Sequence, residues 1–200
     1  MRRAALGFRM HSGWGVVVAV SSDGGLEVID RRHILVAEAS TPGSKQPYHY
    51  SENLGLKKAE EHIARCSAAS GQLASAAIRE ILAKLESGGH RVEESAILTA
   101  SGRTLPSLEK ILASHALIHT AEGELFRNVV HNACEEAGLV VTHVPERDLE
   151  ERAQKIFGHK ANQVRQSITA LGKRLGPPWT RDEKLAALAA TLALQPSGPR

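Results

Sequence analysis

His115, His119 and Glu122 are spaced i, i+4 and i+7, which places all three on one face of a helix. Two imidazoles four residues apart with a carboxylate near them can hold Zn²⁺ or another transition metal. Ile118, Leu125, Val129 and Ala133 fall in the same stripe, so that face is the apolar one. The expectation is that all three polar side chains point inward and are largely buried. The alternative to a metal is a set of hydrogen-bonded histidines, with Glu122 paired to a buried cation such as Arg9 or Arg127, Arg9 being the favoured partner. No cofactor is favoured on this reading. A divalent metal is the alternative, held by His115, His119 and Glu122 in a metal-dependent hydrolase to which Asp182 or His11 contributes.

A second group of residues suits anions. Arg9-Met10-His11-Ser12-Gly13, Ser101-Gly102-Arg103-Thr104 and Glu146-Arg147-Asp148 each follow an apolar, strand-like run. In open α/β sheets ligands bind beyond the carboxyl ends of the strands. Arg9 and Arg103 offer forked donors to a phosphate or carboxylate, and the Ser-Gly pairs offer backbone N–H groups. A third group joins Asp30-Arg31-Arg32-His33 to Pro47-Tyr48-His49-Tyr50, where arginines beside aromatic rings could follow a nucleic-acid backbone and stack bases. The plainer reading is a solvated strand edge. The candidate ligand-binding set is therefore Arg9, His11, Ser12, Arg103, His115, Tyr48 and His49. The catalytic candidates are Asp182, His119 and Glu122. Lysines and arginines scattered from Lys155 to Lys184 suit solubility as well as binding. Gly13-Trp14-Gly15 lacks the next glycine and the helix of a dinucleotide motif, and no phosphate-loop motif occurs.

These residues need a scaffold, and the hydrophobic pattern supplies one. Ala4 to Met10, Trp14 to Val20 and Leu26 to Glu38 read as three strands joined by tight turns, hence an antiparallel meander. Ser40 to Tyr50 reads as a loop, with Ser51 capping a helix that begins at Glu52 and ends at Gly88-Gly89. Ser95 to Thr99 is a strand. A helical period runs from Ser107 to Ala137, with a break or new cap at Ser114. Leu139 to Val144 is a strand. Helices follow over Arg147 to Phe157 and Ala161 to Leu171. Thr180-Arg181-Asp182-Glu183 is a capping box that opens the last helix. Right-handed crossovers make the fourth and fifth strands parallel to the first.

The order β-β-β-α-β-α-β-α predicts an α/β fold, a mixed five-stranded sheet with helices on its faces. It resembles the ribonuclease H-like superfamily, and within it the RuvC-type resolvases. The matching places are Ala5-Leu6-Gly7-Phe8-Arg9, the strand Trp14-Gly15-Val16-Val17-Val18-Ala19-Val20, and the closing run from Asp182 to Ala190. The resemblance implies an Asp in the first strand, a Glu ending the fourth and acids on the last helix, which together bind two divalent ions. Here the first strand reads Gly7-Phe8-Arg9 and the fourth Ala96-Ile97-Leu98-Thr99-Ala100. Only Asp182, with Glu183 beside it, keeps the pattern. The resemblance thus points to a domain that binds a phosphate-bearing ligand, nucleic acid foremost, without standard two-metal nuclease activity. The other classes kept open are the metal-dependent hydrolase and a non-catalytic protein-interaction module.

Composition limits the rest. The 200 residues are 42% hydrophobic and 24% charged, which excludes a disordered chain and a disulfide scaffold. One domain over 1–194 with a flexible tail over 195–200 is expected. The formal net charge of +3 permits an anionic partner without demanding one. No uncharged run spans a bilayer, and no apolar signal-peptide core or small-residue cleavage site follows the basic start, so no membrane partner and no signal peptide are expected. Cys66 and Cys134 lack metal spacing and suit a reducing cytoplasm, the expected location.

Overall fold

The computed structural model describes residues 1–100 and 104–195. Three strands come first, β1 (Arg2–His11), β2 (Trp14–Ser21) and β3 (Glu27–Leu35). A short helix α1 (Pro47–Ser51) and a long helix α2 (Leu56–Ser87) follow. Next come β4 (His90–Thr99), α3 (Leu108–Leu112), α4 (His115–Glu136) and β5 (Val140–Pro145). The chain closes with α5 (Leu149–Phe157), α6 (Ala161–Leu175) and α7 (Arg181–Ala193). The strands lie side by side as β3-β2-β1-β4-β5. β1 pairs antiparallel with β2 and β2 with β3, while β1–β4 and β4–β5 are parallel. This is the expected mixed sheet. Because β3 runs in the same direction as β1, the ends of β1, β3, β4 and β5 share one edge.

Alternation along β1 divides its side chains between two cores. Leu6, Phe8 and Met10 pack with Val17 and Ile34 under α2 and α4, against Ile78, Ile81, Phe126 and Val130. Ala5 packs with Val16, Val18, Ala96 and Leu98 on the other face, under α7 and α6. The alanine-rich α7 lies unusually close to β1. A methyl group on Gly7 would stand 1.9 Å from the Ala186 carbonyl oxygen. Glycine at this position is thus required by the approach of a helix backbone.

Several boundaries differ from expectation. Pro47 to Ser51 is a helix and not loop, and Ser51 ends α1 where it was expected to cap the next helix. Proline at the first helical position has the required φ and loses no hydrogen bond there, which explains the start at Pro47. Gly55 precedes α2 instead. β3 stops at Leu35 because the N–H groups of Val36 and Ala37 turn away to the Gly13 carbonyl. β4 begins five residues earlier than the apolar run, since its polar first half pairs with Arg2, Arg3 and Ala4. α6 continues to Leu175. The break at Ser114 and the capping box at Thr180 are present as read. Cys66 and Cys134 are free and buried, and burial pushes the Cys134 thiol up to about 12, against the pull of a bond to Ser95. Among the described residues no helix is long and apolar enough to cross a membrane.

Candidate functional site

Odd-numbered residues of β1 face α7, so Arg9 and His11 emerge at the strand's carboxyl end on that side. The capping box fixes the start of α7 beside them. The Thr180 hydroxyl accepts from the Asp182 N–H, and the Glu183 carboxylate accepts from the Thr180 N–H at 2.7 Å. Asp182 is held in the helix's first turn, where the helix dipole favours an anion. Glu146 arrives from the turn after β5.

Four charges meet there. Arg9 Nη1 donates to Asp182 Oδ1 at 2.7 Å, and Arg9 Nε to Glu146 Oε2 at 3.1 Å. Arg181 Nη2 donates to Glu146 Oε1 at 2.8 Å. His11 Nε2 lies 2.7 Å from Asp182 Oδ2 and 2.9 Å from Arg9 Nη1. One ring nitrogen cannot both donate to the carboxylate and accept from the guanidinium. The shorter contact assigns the proton to Nε2, with His11 donating to Asp182. The result is a network in which two arginines neutralise two carboxylates.

A row of rings continues the network across the sheet edge. His11 stacks on Trp14 with centroids 4.3 Å apart, and Trp14 lies 5.4 Å from His33. The three rings come from β1, β2 and β3. His33 Nε2 donates to Glu183 Oε1 at 3.1 Å. Burial alone would raise the Glu183 carboxyl. Hydrogen bonds from Thr180, His33 and backbone N–H groups outweigh it and hold the group down at about 2.

The histidine–glutamate group is arranged otherwise than expected. Glu122 is buried at 1% exposure, but His115 and His119 are exposed. The helical period gives their angle correctly and says nothing of height along the axis. Both stand in the first turns of α4, past the region that the sheet covers. Nor does Arg9 meet Glu122, since it faces the opposite side of the sheet. Arg127 pairs with Glu124 at 2.9 Å. Glu122 is held by α1: its Oε1 accepts from the Tyr48 N–H at 2.9 Å, the His49 N–H at 3.1 Å and His49 Nδ1 at 3.3 Å. Those two N–H groups belong to the first turn of α1, where no intrahelical acceptor exists. Burial raises the Glu122 carboxyl, and the bonds from His49 and Tyr48 pull it back only in part.

The third group of the sequence reading is not brought together. Arg31 donates to the carbonyls of Leu175, Gly176, Pro177 and Pro178 and so anchors the connector between α6 and α7. Arg32 pairs with Asp30 at 2.8 Å and Glu80 at 2.6 Å on the other face. Tyr48 lines a cavity of about 400 Å³ between α2, α3 and α4. Ser12 lies in the β1–β2 turn beside His11. Arg103 falls outside the described residues. Among the site residues the sequence reading leaves out Trp14 and Arg181, while Glu146 stands in its strand-end group and Glu183 beside Asp182, neither as a named ligand. The signal for Trp14 was available, because a two-residue turn sets it opposite His11.

No family model matches this sequence, and no curated protein does. Among solved structures the chain is similar to RuvC of Thermus thermophilus, at a TM-score of 0.53 and 11% identity, over 94% of this chain and 92% of that one. It is similar also to T. thermophilus RuvC in complex with a Holliday junction substrate, at a TM-score of 0.54 and 12% identity, over 95% and 91%. This chain has a ribonuclease H-like fold of RuvC-type layout.

The two-ion centre implied by the resemblance does not fit the residues of this RuvC-like edge. Arg9 stands in the strand position where an acid would be needed, and its guanidinium occupies the space between Asp182 and Glu146. β4 ends in Leu98 and Thr99, with no carboxylate. Hard divalent ions require several oxygen ligands free to coordinate, and here Asp182 already meets Arg9 and His11, and Glu146 meets Arg9 and Arg181.

Proposed function

We propose that this RuvC-like domain binds a phosphate-bearing ligand, nucleic acid, along the carboxyl edge of its parallel strands, without divalent-ion nuclease chemistry. The observation that carries the reading is the guanidinium of Arg9 fixed between Asp182 and Glu146. A permanent cation stands where the fold's nucleases need acids, so the edge is built to recognise charge and not to activate water. Arg181, largely exposed at the rim, presents donors to the same opening. The rings of His11, Trp14 and His33 form a shelf suited to a base, and stacking tolerates any sequence. The likeness in layout to a RuvC solved in complex with a Holliday junction substrate supports a branched duplex as the first ligand to try.

Fluorescence anisotropy with a four-way junction, duplex and single-stranded DNA over a salt series tests this. Binding should weaken with salt, and Arg181→Ala should reduce the slope of log K against log salt by about 1. Trp14→Ala should cost about 1–3 kcal/mol if a base stacks on it. Absence of binding to all three DNAs at low salt, or variants that both bind like wild type, would overturn the proposal.

A further inference from the structure

On the opposite side of the sheet, at the same edge, three histidines converge that the nucleic-acid reading does not use. We propose that His49, His115 and His119 form a transition-metal site, with Zn²⁺ the ion it suits best and the fourth position open to water. Each offers one ligand nitrogen, and these lie within 4.8 Å of one another. In a tetrahedral site with Zn–N bonds near 2.0–2.1 Å the nitrogens stand roughly 3.3 Å apart. The Nε2 atoms of His115 and His119 are 3.0 Å apart, so this pair is already set at near-chelating separation. The His49 ring meets both edge-on, with centroids 5.2 and 4.6 Å away.

The surroundings of His49 carry the argument further. Its Nδ1 is 3.3 Å from Glu122 Oε1. With Nδ1–H donating to that carboxylate, Nε2 is left as a lone-pair ligand. A carboxylate behind a histidine is the usual outer support of a ligating imidazole, fixing its tautomer and raising its basicity. Glu122 is buried, and its Oε2 has no hydrogen-bond partner. Three neutral imidazoles favour Zn²⁺, Cu²⁺ or Ni²⁺ over Mg²⁺ or Ca²⁺, which take oxygen ligands. His115 and His119 are exposed, so an ion enters from solvent and keeps a water as its fourth ligand. The ligands come from α1 and α4, and the ion would clamp the short helix to the long one. The sequence reading placed Glu122 among the metal ligands. The structure moves it behind them and supplies His49 in its place.

The untagged chain, stripped with a chelator, is titrated with Zn²⁺ by calorimetry and with Co²⁺ by visible absorption, and melted with and without Zn²⁺. The expected result is one ion per chain, a tetrahedral Co²⁺ spectrum and a raised Tm. His119→Ala and His49→Ala should each weaken binding at least about tenfold, through loss of one of three protein ligands. Glu122→Gln, a change in a positioning residue, should weaken it about 10–100-fold while the stoichiometry stays at one. His131→Ala is the control. It belongs to a separate pair in which His131 Nδ1 and His143 Nε2 lie 3.0 Å apart, and it should bind as wild type. No binding by the wild type overturns the proposal, as does binding that survives His119→Ala or is lost in His131→Ala. His119 is exposed, so its replacement decides the matter even where His49→Ala fails to fold. None of these readouts involves nucleic acid, so this site and the proposed function stand or fall separately.

Discussion

Replacing Arg9 with alanine probes the central network directly. Two carboxylates lose a partner, Asp182 at 2.7 Å and Glu146 at 3.1 Å. The Arg9 side chain is 19% exposed and that of Asp182 20%, which puts the pair between two known limits. Fully exposed pairs contribute about 0–1 kcal/mol, and breaking a buried one costs about 3–5 kcal/mol. Arg181 and His11 still screen the abandoned acids, so a loss of about 1–3 kcal/mol is expected. At roughly 2–4 °C per kcal/mol for a chain of this size, Tm should fall by about 2–12 °C. Arg9→Lys should fall between the two, since an ammonium keeps the charge but cannot fork to both acids.

The same variant makes a sharper prediction. Without the guanidinium, Asp182, Glu146 and His11 surround a space that a Mn²⁺ ion can enter. Mn²⁺ at ten times its Kd would then return about 1.4 kcal/mol of stability to Arg9→Ala. The wild type should gain nothing at this site, because Arg9 fills it. Thermal melts at matched ionic strength, with Na⁺ in the control arm, read both effects. A wild-type Tm that rises with Mn²⁺ as much as the variant's would refute the argument that Arg9 displaces metal. Because the histidine site proposed above also takes transition metals, both chains carry His119→Ala in this experiment.

Glu183→Gln tests the capping box. The folded carboxyl titrates at about 2 against an ordinary value of 4.5, so the wild-type advantage is fully present above pH 4.5 and disappears as pH falls toward 2. It should amount to about 2–3 kcal/mol at pH 7, read from denaturant midpoints at pH 7 and pH 3. Gly7→Ala should cost about 3 kcal/mol or more, because the new methyl meets backbone atoms of α7 that cannot rotate aside. Purified wild type should leave four-way junctions and RNA–DNA hybrids uncut in Mg²⁺, as judged on denaturing gels. Cleavage abolished by Asp182→Asn would show that the edge assembles an ion centre after all.

Much of the scaffold is written in local patterns. The β-branched run from Val16 to Val20 and the tight turns around it specify the meander, and Thr180 with Glu183 specifies the start of α7. Helix α1 leaves no such trace. It has five residues, too few for a period, and it is held from outside by Glu122, seventy-odd positions away in sequence. The burial of α4 was misjudged for a related reason. His115 and His119 share the angle of Ala133 and Val130, but a residue's height relative to the sheet depends on where the neighbouring strands and helices end.

The partner of Arg9 was closer to hand. Phe8 and Met10 fill the core under α4, and adjacent residues of a strand point to opposite faces. Once the long helix is assigned to the Phe8 side, Arg9 must face the other helix layer, where Asp182 is the first acid of a capped helix. The strand alternation that hides Arg9 from Glu122 also separates the two polar groups at this edge. A guanidinium network occupies the α7 side, and imidazoles backed by a buried carboxylate occupy the α4 side. Arginines hold anions at any pH without help, whereas imidazoles gain a permanent charge only with a metal bound. The edge therefore presents two polar groups of different composition divided by one sheet, one assembled by β1 and α7 and the other by α1 and α4.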